Sequence, residues 1–212
     1  MKHIKNIIFD YGNVIFSLNF IKAKQAWLDL GLENPDEFYG HKIQDNIFDD
    51  FETGKINAIE FRTHIRSKIK NPKLTDQQID DAWNSLLVGI VQGNNELVFR
   101  VKQKYRTFLL SNINEIHYNF IHKYLKSEFG FENNEHLFEK TYYSHLLGKR
   151  KPEANIFQQV LDENNLNPAE TLFIDDSPQH IAGAQQLGIQ TYLMTAPDTI
   201  QKFFSGWDLG EK

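Results

Sequence analysis

The stretch Ile4-Lys5-Asn6-Ile7-Ile8-Phe9-Asp10-Tyr11-Gly12-Asn13 decides how the rest of the chain is read. Ile7, Ile8 and Phe9 form a short, apolar, largely β-branched run, suited to a strand buried on both faces, and it breaks at once into polar, turn-forming residues. An aspartate is thereby carried to the carboxyl end of a buried strand. Two further runs repeat the design: Thr107-Phe108-Leu109-Leu110 leads into Ser111-Asn112, and Thr171-Leu172-Phe173-Ile174 leads into Asp175-Asp176. Weaker strands are expected at Lys140 to Tyr143 and Gln190 to Met194. Between these runs the spacing of apolar residues predicts helices over Glu96 to Lys104, Glu115 to Lys126, Glu153 to Asn165 and Gln179 to Leu187, the last closed by Gly188. Strands alternating with helices imply parallel βαβ units with right-handed crossovers, and hence an α/β, Rossmann-like open parallel sheet.

The stretch from Ser17 to Val91 has another texture, helix after helix with no convincing strand. Phe20 to Leu30 ends at Gly31, Asp36 to Phe51 ends near Gly54, Ala58 to Ile69 ends before Pro72, and Thr75 caps a helix expected from Asp76 to about Val88. The reading is an all-helical cap inserted after the first strand: residues 1–16 and 92–212 form the α/β core domain, and residues 17–91 form the cap. Trp27, Phe38, Phe48, Phe51, Phe61 and Trp83 are expected to fill the cap interior.

Composition narrows the function. The 212 residues are 41% hydrophobic and 24% charged, close to the globular average, and they include no cysteine. Disulfides, thiolate metal sites and cysteine nucleophiles are therefore excluded together. A net charge of -5 argues against a surface that neutralises nucleic acid. The longest apolar runs fall far short of the ~20 residues of a membrane helix. The first residues reach Asp10 before any leader-like apolar segment, so a cytoplasmic chain is expected, with no membrane partner, acting as a monomer or homodimer.

In an open α/β sheet, ligands bind beyond the carboxyl ends of the strands, so Asp10, Ser111, Asn112, Asp175 and Asp176 can converge on one polar volume. Crowded carboxylates repel, and a cation or a shared proton relieves them. Mg²⁺ held by Asp10 with Asp175 or Asp176, its remaining positions filled by water and a substrate phosphate, fits hard-cation chemistry with oxygen ligands.

Ile8-Phe9-Asp10-Tyr11-Gly12-Asn13-Val14, Leu110-Ser111-Asn112, Gly148-Lys149-Arg150-Lys151-Pro152-Glu153 and Phe173-Ile174-Asp175-Asp176-Ser177 resemble, in order, the four motifs of the haloacid dehalogenase-like hydrolase superfamily. The closest branch resembles the phosphatases similar to α-D-glucose-1-phosphate phosphatase, which share the Asp-x-Gly-Asn-Val start and the Arg-Lys-Pro-Glu segment. The inserted helices are similar to a C1-type cap. This resemblance implies a Mg²⁺-dependent phosphatase acting on a small phosphorylated metabolite, a sugar phosphate being the candidate. It casts Asp10 as the nucleophile that forms an aspartyl-phosphate, and Ser111 and Asn112 as phosphate-binding groups, Asn112 through its backbone. Lys151 would be both catalytic and phosphate-binding. Asp10, the Gly12 backbone carbonyl, Asp175 and Asp176 would hold the metal, with Asp176 as the main ligand of the last pair.

Gly12 is the main departure from the superfamily pattern. A second aspartate, which protonates the leaving alcohol, usually stands two residues after the nucleophile. Two alternatives therefore stay open: a metal-independent haloacid dehalogenase, and a non-catalytic binding or regulatory protein on the same fold. His180, where relatives often carry asparagine, reads as a surface or supporting group. Lys149 and Arg150 read as solvated charge, with help in binding an anion as the alternative, and the sequence does not decide whether Asn19, Lys55 or Arg62 faces the site.

Overall fold

The structure is a computed structural model that describes residues 3–35 and 47–209. Five parallel strands, β1 (Asn6–Phe9), β4 (Arg106–Ser111), β5 (Lys140–Tyr143), β6 (Thr171–Asp175) and β7 (Gln190–Leu193), form one sheet in the order β5-β4-β1-β6-β7. The middle strand β1 is buried along its whole length, which explains its unbroken apolar run. Its side chains alternate between two cores. Ile7 and Phe9 enter a cluster with Val98, Ile121, Phe138 and Phe204, while Ile8 joins Phe108, Phe157, Val160 and Phe173 on the opposite face.

The helices α5 (Asn94–Lys102), α6 (Glu115–Phe129), α8 (Ala154–Asn164) and α9 (Pro178–Gln185) lie in the connections, as the periodicity predicts. A short helix α10 (Ile200–Phe204) closes the chain's end. Parallel register sets the site. Phe9 pairs with Leu109 and with Ile174, and the Asp10 amide donates to the Ile174 carbonyl at 2.9 Å. Asp10 therefore stands level with Asp175 and one residue short of Ser111.

The inserted segment carries α1 (Phe20–Asp29), α2 (Ile47–Glu52), α3 (Ala58–Ile69) and α4 (Asp76–Asn84). Most of the predicted helix Asp36 to Phe51, with Phe38, lies outside the described residues; its final turn is α2. Trp27, Phe48, Phe51, Phe61 and Trp83 form a separate buried cluster with Ile65 and Ile79, and the Phe51 and Phe61 rings stack at 4.4 Å.

The expectation of no strand in this region needs correction at both ends. The helix predicted to reach Val88 stops at Asn84, and β3 (Leu87–Ile90) pairs antiparallel with β2 (Phe16–Leu18). Leu86 and Leu87 continue the helical apolar spacing, although Leu87 already belongs to the strand. Gly89, at φ +147, adopts a backbone conformation that no helix accepts, and a side chain there would meet the Tyr124 hydroxyl at 2.7 Å. The ribbon leads the chain into and out of the insertion.

Helix α6 also grips the inserted helices. The Trp83 indole donates to Asn114 Oδ1 at 3.1 Å, Ile116 packs into the aromatic cluster, and Glu115 accepts from the Ala58 amide at 3.0 Å. His117 stacks on Trp83 and lies 3.0 Å from the Trp83 carbonyl through Nε2, while Nδ1 faces the Asn114 amide nitrogen at 3.3 Å. Because a carbonyl only accepts and an amide NH₂ only donates, Nε2 carries the hydrogen and the ring is neutral.

Burial lowers the His117 pKa from its ordinary 6.5 to about 4, against a smaller pull upward from the Trp83 carbonyl. The unfolded chain thus takes up a proton that the folded chain refuses. This share of stability is complete above the unfolded value and is lost as pH falls towards 4. We expect His117→Gln, which can still donate to the Trp83 carbonyl, to lose less stability than the parent between pH 7 and pH 5. The difference should be roughly 2 kcal/mol in urea unfolding; parallel pH profiles would refute it.

Candidate active site

Asp10 leaves β1, Asp175 ends β6 and Asp176 follows it, and oxygen atoms of the three carboxylates lie within 4.8 Å of one another. That spread suits one small cation with oxygen ligands, because opposite ligands of an octahedral Mg²⁺ stand about 4.2 Å apart. Asp10 and Asp175 are buried, and Asp176 is more open.

Lys151 lies between the two buried carboxylates, 2.7 Å from Asp10 Oδ1 and 2.7 Å from Asp175 Oδ2, with no exposed surface. Its backbone is fixed from β4. The Lys151 amide donates to Asn112 Oδ1 at 2.9 Å, and Asn112 Nδ2 donates to the Lys151 carbonyl at 2.9 Å. From the other side α9 packs closely only because residue 183 is glycine: a Cβ there would lie 2.3 Å from the Pro152 carbonyl. The Asn112 side chain is therefore a clamp on the Lys151 backbone.

Asp175 is the most tied of the three acids. It takes the Lys151 ammonium, the Ser177 amide at 2.8 Å, and His180 Nδ1 at 2.9 Å and 3.0 Å from its two oxygens. His180 Nδ1 must carry a hydrogen to approach a carboxylate so closely. Asp176 accepts from Asn13 Nδ2 at 2.9 Å, and Asn13 turns with φ +53 just after β1. Neither the His180 nor the Asn13 contact is readable from sequence, since both depend on how two strand ends meet.

The electrostatics follow. Burial pushes the Asp10 carboxyl up; Lys151 pulls it back down, while Asp175 and Asp176 add to the rise. Burial acts the same way on Asp175, yet Lys151 and His180 outweigh it and hold that carboxyl low. Burial alone would discharge Lys151, but Asp10 and Asp175 keep its pKa raised. The site holds a fixed ammonium and a charged Asp175 beneath a more readily protonated Asp10.

Gly12 has its own packing reason. A Cβ at position 12 would lie 2.9 Å from Leu18 Cδ1, so a larger residue there would require the end of the Leu18 side chain, on the ribbon strand β2, to move aside. Of the residues left open, Asn19 caps α1 by accepting from the Lys22 amide, and Arg62 is held by Asp80 at 2.8 Å within the insertion. Lys55 pairs with Asp50 at 3.2 Å. Arg150 is not the solvated charge expected: it bonds Asp49 and reaches Glu52 at 2.9 Å, both on α2. Lys149 bonds Gln159.

Comparison with known proteins agrees with this arrangement. Residues 121–194 match the family model described as haloacid dehalogenase-like hydrolase. The chain is 32% identical over 189 residues to a D-ribitol-5-phosphate phosphatase of Bacteroides thetaiotaomicron, an alignment covering 89% of this chain and 91% of that one. It is also similar to the crystal structure of a HAD family enzyme of the same organism in complex with magnesium and inorganic phosphate, with a TM-score of 0.85 and 36% identity over 95% of this chain and 99% of that one. A 2-haloacid dehalogenase of Pseudomonas syringae shares the fold at 16% identity and a TM-score of 0.57, covering 90% of this chain and 86% of that one. The chain belongs to the haloacid dehalogenase-like hydrolases.

Lys151→Met would leave two buried carboxylates facing each other without their cation. We expect a loss of about 3–5 kcal/mol in urea unfolding without added metal; a loss below about 1 kcal/mol would show that the ammonium does not hold the site together.

Proposed function

We propose that this haloacid dehalogenase-like hydrolase is a Mg²⁺-dependent phosphatase for a small phosphorylated polyol or sugar, with Asp10 as the nucleophile. Two relatives that align over most of this chain are named phosphatases, one of D-ribitol 5-phosphate and one of a sesquiterpene. The observation that carries the mechanism is the Lys151 ammonium 2.7 Å from both Asp10 and Asp175. It favours the ionised carboxylate needed for attack, and it sets positive charge where a phosphoryl group would arrive.

Lys151 engages Asp10 through Oδ1, so Oδ2 is the oxygen assigned to attack phosphorus. An Oδ2–P bond would form as the bond from phosphorus to the leaving oxygen breaks, giving an aspartyl-phosphate that water then hydrolyses. The Ser111 hydroxyl, at the end of β4, and the Asn112 backbone N–H would hold phosphate oxygens. Asp10, Asp176 and the Gly12 carbonyl would hold the metal, with Asp175 beside them as an oriented partner already committed to Lys151, His180 and the Ser177 amide. When bound, Mg²⁺ would neutralise the acids and the incoming phosphate.

The D-ribitol-5-phosphate phosphatase supports the substrate class, because its alignment spans both the core and the inserted helices. A metal-free dehalogenase fits less well. Three carboxylates within 4.8 Å, with one ammonium between them, would repel a haloacid anion unless a cation joined them. The intact Asp10 and Lys151 pair speaks against a purely binding role.

Phosphate release from D-ribitol 5-phosphate and a panel of sugar phosphates tests the proposal. Release is expected with Mg²⁺ and should stop on chelation. Asp10→Asn should fall by about 10³-fold or more. Release that persists in chelator or in the variant would overturn the mechanism.

A further inference from the structure

Left-handed backbone costs glycine nothing and costs a residue with a side chain something. The chain follows that rule at two helix ends: Gly130 (φ +73) closes α6, and Gly148 (φ +65) closes α7 (Ser144–Leu147). Among the described residues, Asn13, Lys70 and Asn165 are the side-chain-bearing positions that depart from it. Lys70 and Asn165 end α3 and α8, where their N–H groups bond carbonyls of the last turn. Asn13 (φ +53) ends no helix; it stands in the turn between β1 and β2, where glycine would be the easier residue.

The backbone of that turn is fixed. The Asn13 amide donates to the Phe16 carbonyl at 2.7 Å, and the Ile15 and Phe16 amides both donate to the Tyr11 carbonyl, at 2.9 Å and 2.8 Å. Across a planar trans peptide the carbonyl points opposite to the N–H. The Gly12 carbonyl shares its peptide with the Asn13 N–H, so it is turned away from Phe16. It is the same carbonyl that the phosphatase reading gives to the metal.

The side chain is fixed as well, because Asn13 Nδ2 donates to Asp176 Oδ2 at 2.9 Å. Asp10 is held by Lys151, and Asp175 by Lys151, His180 and the Ser177 amide. Asp176 takes one hydrogen bond among the described residues, the one from Asn13, and its Oδ1 is left for a cation. An uncharged donor suits this place. A lysine or arginine there would compete with Mg²⁺ for the carboxylate, whereas an amide sets its direction and leaves its charge.

Resting on the phosphatase reading, we propose that Asn13 is a positioning residue for the metal: its amide holds Asp176 Oδ2 so that Oδ1 meets the same cation as the Gly12 carbonyl. The hydrogen bond joins segments 163 residues apart, so a ligand from the end of β6 is set by the turn that follows β1. An outer partner that orients a ligating carboxylate is typically worth about 10–100-fold in metal affinity. The same turn runs into β2, so the ribbon that opens the insertion and the metal ligands belong to one hydrogen-bonded unit.

Asn13→Gly separates this role from a merely structural one, because glycine accepts the left-handed turn without strain and removes only the amide. With MgCl₂ titrated calorimetrically into substrate-free protein, we expect the Kd for Mg²⁺ to rise about 10-fold or more. Stability in chelator should not fall below that of the parent, and the loss of turnover on D-ribitol 5-phosphate should shrink as Mg²⁺ is raised. Asn165→Gly, the same exchange at the left-handed end of α8, should leave Mg²⁺ binding unchanged. Should Asn13→Gly fail to fold, Asn13→Ser, whose hydroxyl ends one bond short of the amide nitrogen, replaces it with the same expectation. A Kd within about 2-fold of the parent, an equal rise in Asn165→Gly, or a loss of turnover that Mg²⁺ does not relieve would overturn the role of Asn13 and leave the phosphatase reading intact. A parent that neither binds Mg²⁺ nor releases phosphate would overturn both.

Discussion

The Lys151 ammonium, enclosed between Asp10 and Asp175, is the constraint on which the rest of the architecture depends. Two carboxylates at the ends of adjacent parallel strands cannot both stay ionised in a buried place without a cation, and a lysine cannot be fully buried without anions. Each supplies what the other lacks. Much of the surrounding sequence can be understood as holding that lysine: Asn112 clasps its backbone from β4, Gly183 lets α9 approach Pro152, and His180 steadies the far side of Asp175.

The inserted helices contact the sheet-bearing part of the chain at two places with different chemistry. One is neutral and buried, where Trp83, Asn114 and His117 join α4 to α6. The other is charged, where Arg150 faces Asp49 and Glu52. Arg150 and Lys151 are chain neighbours with different partners: Arg150 meets Asp49 and Glu52 on α2, and Lys151 meets Asp10 and Asp175.

The sheet and the acids at its edge were legible in the sequence because both are local signals. A buried strand is a short apolar run, and its carboxyl end is marked by the polar residue that follows, so Asp10, Ser111 and Asp175 could be named from their own neighbourhoods. Lys151 needed the wider motif resemblance, since nothing beside it indicates burial. What stayed hidden lies between distant segments. The Arg150 and Asp49 pair joins residues 101 apart, and the Asn13 and Asp176 bond joins residues 163 apart. The ribbon strand β3 was hidden for another reason: Leu86 and Leu87 continue the apolar spacing of α4, and the antiparallel pairing with β2 overrides that local preference.

The most direct measurement is a crystal structure after soaking with Mg²⁺ and beryllium fluoride, which forms a stable mimic of an aspartyl-phosphate. The account predicts density continuous from Asp10 Oδ2 to beryllium, with Lys151 Nζ contacting a fluorine and Asp176 on the metal. An adduct on Asp175 or Asp176, or none on Asp10 with Mg²⁺ in place, would contradict it.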